Sequence, residues 1–146
     1  MNKFTPPPPP PRAPETPCTK EAGFYYFQLG EKYFHGLGVR RSDGLAVFYY
    51  TEAAKAGHQQ AQYFLGLLYY YGSSVKQDRN LAVFWLMQAT NQHHAPAQYF
   101  LGFMYQYGLG VPKNMDKGLR YLTLASDQKY ALAQETMMRL NLKFLP

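Results

Sequence analysis

Apolar residues recur in this chain at helical spacing, and the whole pattern then recurs 36 residues later. Ala61, Leu65, Leu68 and Tyr69 fall at i, i+4, i+7 and i+8, and Ala97, Leu101, Met104 and Tyr105 repeat that face. Such spacing is one side of an amphipathic helix, here called A. After Gly72 or Gly108 come about seven residues of turn. Ala82, Trp85, Leu86 and Ala89 then fall at i, i+3, i+4 and i+7, matched by Ala46, Tyr49, Tyr50 and Ala53, which predicts a second helix, B.

Three gapless units result, 23–58, 59–94 and 95–130, and a partial fourth predicts a capping helix over 131–144. Leu29, Leu65 and Leu101 align, as do Gly30, Gly66 and Gly102, Tyr33, Tyr69 and Tyr105, and Gly36, Gly72 and Gly108. Columns kept in phase over three copies mark an all-α repeat protein. Gly36, Gly72 and Gly108 stand where helix A must stop, the place for a left-handed glycine. Ser42, Asp78 and Asn114 are placed to cap helix B with a side-chain oxygen. A glycine inside helix A costs about 1 kcal/mol relative to alanine, so Gly30, Gly66 and Gly102 predict a close approach of two helix backbones. Met138 takes that column in the fourth unit, where no helix B follows. Ser73 and Ser74 replace the Leu-Gly of the loop, and His93 replaces a glycine, which predicts less regular turns in the second unit.

The first 20 residues break the pattern. Pro6 to Pro11, with Pro14 and Pro17, impose polyproline II and cannot build a core, so residues 1–20 read as a disordered proline-rich arm. The arm is either a stiff spacer or a ligand for a groove that reads proline-rich peptides. It has no apolar stretch of the secretory kind, and no later run reaches the length of a membrane span. Together with a single cysteine, Cys18, this predicts a soluble cytoplasmic chain. The aromatic share is 17%, with 14 tyrosines, so many packing contacts carry a hydroxyl that needs a partner.

The formal charge is +6. Arg40, Arg41, Lys76, Arg79, Lys113 and Lys117 lie in or just after the A-to-B turns, where stacking would line them along one edge facing an acidic partner. They lack the density and aromatic interleaving of a nucleic-acid binder. Catalysis, a cofactor and a metal find no support. His35, His58, His93 and His94 have no ligand spacing, His58 and His94 share one turn column, and no nucleophile elbow or phosphate loop is present.

The segments AAKAGHQQAQYFLGLLYYYG (Ala53 to Gly72) and APAQYFLGFMYQYGLGVPKNMDKGLRYLTLAS (Ala95 to Ser126) resemble the Sel-1-like repeat family, a relative of the tetratricopeptide class. The resemblance implies a right-handed α/α superhelix of about three and a half helix-pair repeats, used as a scaffold or adaptor for other proteins. Some bacterial relatives carry paired cysteines in every repeat; this chain does not. The A helices would line the concave side, with the columns Gln28, Phe64 and Phe100; Glu31, Leu67 and Phe103; and Phe34, Tyr70 and Gln106 facing into it. Large apolar residues in such columns point to a protein or peptide partner gripped by Phe34, Phe64, Leu67, Tyr70, Phe100 and Phe103. Two other readings stay open: a helical phase shifted by one residue would make them core, and the same patch could pair two copies.

Overall fold

The computed structural model describes residues 19–143. Seven helices follow one another: α1 (Lys20–His35), α2 (Asp43–Lys55), α3 (Gln59–Tyr71), α4 (Arg79–Asn91), α5 (Ala95–Tyr107), α6 (Met115–Asp127) and α7 (Ala131–Lys143). They form a right-handed α/α solenoid in which α1, α3 and α5 are the A helices and α2, α4 and α6 the B helices. Among the described residues there is no strand. The arm's prolines and Cys18 lie outside the described residues.

Local chemistry sets the helix boundaries. Gly36, Gly72 and Gly108 end the A helices at φ of 67°, 67° and 66°, each returning its N–H to a carbonyl of the last turn. The side chains of Ser42, Asp78 and Asn114 accept from the backbone N–H of Leu45, Leu81 and Lys117. Those capping residues also donate their own N–H to the carbonyls of Tyr33, Tyr69 and Tyr105. The tyrosine column therefore anchors each A-to-B turn through its backbone carbonyl.

The unit-to-unit turns are equally regular. His58, His94 and Tyr130 each donate a backbone N–H to the carbonyl of Ala53, Ala89 and Ala125. The substituted turns of the second unit keep this geometry. Ser74 and His93 hold the left-handed conformation at φ of 61° where the other copies carry Gly38, Gly110 and Gly57. The expected irregularity is absent because the surrounding hydrogen bonds impose the backbone.

The core lies between the helices of each pair and between successive pairs. Ala61, Leu65, Ala82, Leu86, Ala89, Ala97, Leu101 and Met104 are fully buried, with Tyr50 beside them. The glycine column is tight in all three copies, but not for one reason. A Cβ on Gly30 would lie 2.5 Å from the Tyr50 ring, and one on Gly66 would lie 2.6 Å from Leu86 Cγ. Only at Gly102 is the neighbour backbone, with the Gly118 carbonyl oxygen 2.9 Å away. Met138, in the same column of α7, is 66% exposed.

Candidate functional site

The A helices carry two aromatic clusters side by side. Phe34, Phe64 and Leu67 line a cavity of about 250 Å³ together with Glu31, His35, Tyr50 and Leu68. Gly30 makes room here for Tyr50, which α2 supplies. The Tyr50 ring meets Phe64 edge to face at 5.8 Å and Phe34 at 6.2 Å. Its hydroxyl donates to Glu31 Oε1. Burial, and then the Glu31 carboxylate, push the Tyr50 phenol far above its ordinary pKa, so it remains a donor.

The second cluster joins α3 to α5. Tyr70 and Phe100 meet at 4.9 Å and 88°, Phe100 lies 6.3 Å from Phe103, and Phe103 lies 4.7 Å from Tyr107. All six residues expected to grip a partner are thus neither plain core nor free surface. Phe34, Phe64, Leu67, Tyr70 and Phe100 are half-buried, and Phe103 is 37% exposed. Each of the six is packed in part and open to solvent in part.

Gln106 is not part of that surface. It is only 8% exposed, and a Cβ on Gly118 would lie 2.7 Å from its Cγ, so it is turned towards α6. Three residues of the surface are not on the expected groove columns: His35 lines the cavity, Tyr71 packs on Tyr70 and Phe100, and Tyr107 packs on Phe103. Their signal is in the sequence, because they occupy the column just before the stop glycine in each unit. A second apolar feature sits on the B helices, where Phe48 and Phe84 are 55% and 51% exposed.

The basic residues divide between two settings. Arg41 stacks over Phe34 at 5.6 Å and Arg79 over Tyr70 at 5.7 Å, so these two border the aromatic clusters. Arg41 Nε is also 3.0 Å from Asp43 Oδ1. Hydrogen bonds from Arg41 and then Ser74 hold the Asp43 carboxyl below its ordinary pKa. Lys117 instead lies over Tyr105 at 5.5 Å, a ring that stacks on Tyr121 of α6. Arg40, Lys76 and Lys113 are exposed in the turns.

His58 and His94 are helix caps. Nδ1 of each accepts from the backbone N–H of Ala61 and Ala97. An accepting Nδ1 assigns the ring proton to Nε2, and His94 Nε2 reaches Gln60 Oε1 at 2.8 Å. Burial lowers the pKa of both rings.

The Sel1 repeat pattern matches residues 23–58, 59–94 and 95–130. A Sel1 repeat protein from Oxalobacter formigenes shares 29% identity at a TM-score of 0.77, over 82% of this chain and 92% of that one. A protective antigen of uropathogenic Escherichia coli strains, with an SLR fold, shares 32% identity at a TM-score of 0.76 over 79% of this chain. The match spans a quarter of that antigen's length. The cysteine-rich protein B of Helicobacter pylori, at 23% identity and a TM-score of 0.64 over 80% of this chain and 92% of that one, shares the fold. No curated protein matches the chain. Three tandem matches covering well over half of the sequence, on the fold of solved Sel1 repeat structures, make this chain a member of the Sel1 repeat family.

Proposed function

We propose that this chain is a non-catalytic adaptor that holds a partner protein by an extended or helical peptide laid across the A helices. Sel1 repeat proteins work through protein–protein contacts, and this solenoid offers a surface for one. The observation that carries the reading is the partial exposure of Phe34, Phe64, Leu67, Tyr70, Phe100 and Phe103 on three successive A helices. Aromatic anchors in partly desolvated sites supply most of the energy of such interfaces. Arg41 and Arg79 over two of the rings, with Arg40, Lys76 and Lys113 in the adjoining turns, favour carboxylates flanking the peptide's apolar anchors. The helix at 131–143 serves as the cap of the array, and the lone cysteine fits a reducing compartment such as the cytoplasm.

A random peptide library displayed against the full chain tests this reading. Peptides selected by the native chain should lose at least about tenfold in affinity for a Phe64→Ala, Tyr70→Ala, Phe100→Ala triple variant whose helical circular dichroism is preserved. Equal binding by the two chains would remove the A-helix surface as the site. Deleting residues 1–18, which leaves α1 and its Thr19 cap in place, should leave peptide capture unchanged; loss of a natural partner on that deletion alone would make the proline-rich arm the recruiting element instead.

A further inference from the structure

A cleft of about 470 Å³ opens between the C-terminal ends of α2 and α4, and we propose that it holds the chain's own proline run at residues 6–11. None of the six residues of the A-helix surface lines it, so the two sites are independent. One face of α4 supplies most of the lining: Phe84, Gln88 and Asn91 fall at i, i+4 and i+7, with Trp85 and Gln92 beside them. Phe84 and Trp85 meet edge to face at 5.0 Å. Two of the lining amides are already engaged, since Gln62 donates to the Ala54 carbonyl and Gln92 to the Gly57 carbonyl and to Gln62. The Trp85 indole N–H and the side-chain amides of Gln88 and Asn91 have no such partner among the described residues, and none of them is sealed from solvent. The one charge on the lining, Lys55, is paired with Glu52 at 3.0 Å. The cleft therefore offers aromatic surface and unclaimed neutral donors.

A run of prolines has the complementary chemistry. It carries no N–H, its carbonyls make no internal hydrogen bonds in polyproline II, and its rings pack on aromatic grooves. The donor set belongs to the second unit alone, because the columns of Trp85, Gln88 and Asn91 continue as Tyr121, Leu124 and Asp127, where a carboxylate takes the place of a donor. The arm also starts close by. A Cβ on Gly23 would lie 3.3 Å from His58 Cβ and 3.4 Å from Ala56 Cβ, so the first turn of α1 rests on the α2–α3 turn, whose Gly57 lines the cleft. Thr19, the cap of α1, stands one turn before Gly23. Residues 12–18 span about 22 Å as polyproline II, and the run itself about 19 Å, so the run reaches the cleft with the intervening segment as its tether. Such a short tether gives an effective concentration on the order of millimolar, at which a dissociation constant of the same order keeps the cleft about half occupied.

The test reads the fluorescence of Trp85, the chain's single tryptophan, in the full chain. Acrylamide should quench it about twofold less in the native chain than in a chain whose prolines at 6–11 are all replaced by serine, at equal helical circular dichroism. A synthetic peptide of residues 5–14, added at concentrations on the order of millimolar to the serine-substituted chain, should restore the protection and saturate. Gln88→Ala with Asn91→Ala should weaken that peptide's binding about tenfold. Equal quenching of the native and serine-substituted chains, or a peptide that leaves Trp85 unchanged, would overturn the assignment. Protection in the native chain that fades on dilution would overturn it too, giving the cleft to the arm of a second copy.

Discussion

Among the described residues, Ser74, His93 and Lys129 are the only ones other than glycine with positive φ, at 61°, 61° and 62°. A side chain in the left-handed region costs roughly 1–2 kcal/mol through the clash of its Cβ with the following carbonyl. His93 keeps this conformation because its N–H is bonded to the Thr90 carbonyl and the next residue caps α5. Gly57 holds the same column at φ 86°, so the turn accepts glycine. Replacing His93 by glycine removes the clash but adds about 0.5–1 kcal/mol of unfolded-state freedom. The net expectation is a gain of about 0.5 kcal/mol, read as a higher urea midpoint at unchanged slope. The reverse change at Gly57, to alanine, should lower that midpoint. Side-chain identity alone suggested a disturbed turn here; the hydrogen bonds that override it join residues across the turn and leave no trace in composition.

At the scale of the helices, periodicity and end chemistry were sufficient, because both are local. The A and B faces, the stop glycines and the Ser42, Asp78 and Asn114 caps are read directly from spacing. What fills the room beside Gly30, Gly66 and Gly102 was not legible. It depends on which residue of a neighbouring helix arrives there: a tyrosine ring, a leucine, or the backbone at Gly118. The binding surface was partly legible for the same reason. Column counting placed Gln106 in the groove, yet the small Gly118 opposite draws it inward. This difference between helix glycines is measurable. Gly102→Ala puts a Cβ 2.9 Å from a carbonyl oxygen that moves only with α6. Overpacking of about 1–3 kcal/mol then outweighs the helix-propensity gain of about 1 kcal/mol, for a net loss near 1 kcal/mol. Gly44 in α2 has nothing within 4 Å of an added Cβ, so Gly44→Ala should stabilise by about 0.5 kcal/mol. Denaturant unfolding of the two variants should move in opposite directions.

In the whole molecule, stability passes from unit to unit through neighbouring interfaces, since a solenoid has no central core. The junctions are polar as well as packed. Gln92 Nε2 donates to the Gly57 carbonyl and to Gln62 Oε1, and Gln128 Nε2 donates to Gln98 Oε1. His58 and His94 stand at two of these junctions, each capping the next A helix with an unprotonated Nδ1. Phe27 stacks on His58 at 4.4 Å, with Phe24 at 6.3 Å; Tyr63 lies 5.0 Å from His94, and Gln60 takes its other nitrogen. These contacts offer no carboxylate to a charged ring. Both rings have folded-state pKa values below the ordinary 6.5 because burial disfavours the charged form. The unfolded chain therefore takes up protons first as pH falls. The stability these caps contribute is complete above about pH 6.5, declines as pH drops through that value, and is lost once pH passes the lower folded-state values. Each protonation also turns Nδ1 from acceptor to donor against a backbone N–H, ending a cap worth about 1 kcal/mol. Asparagine caps a helix without titrating in this range. A His58→Asn, His94→Asn chain should hold its urea midpoint between pH 7.5 and 5, while that of the native chain falls. If both chains lose midpoint equally, the acid sensitivity lies outside the two caps, and the unit junctions do not carry it.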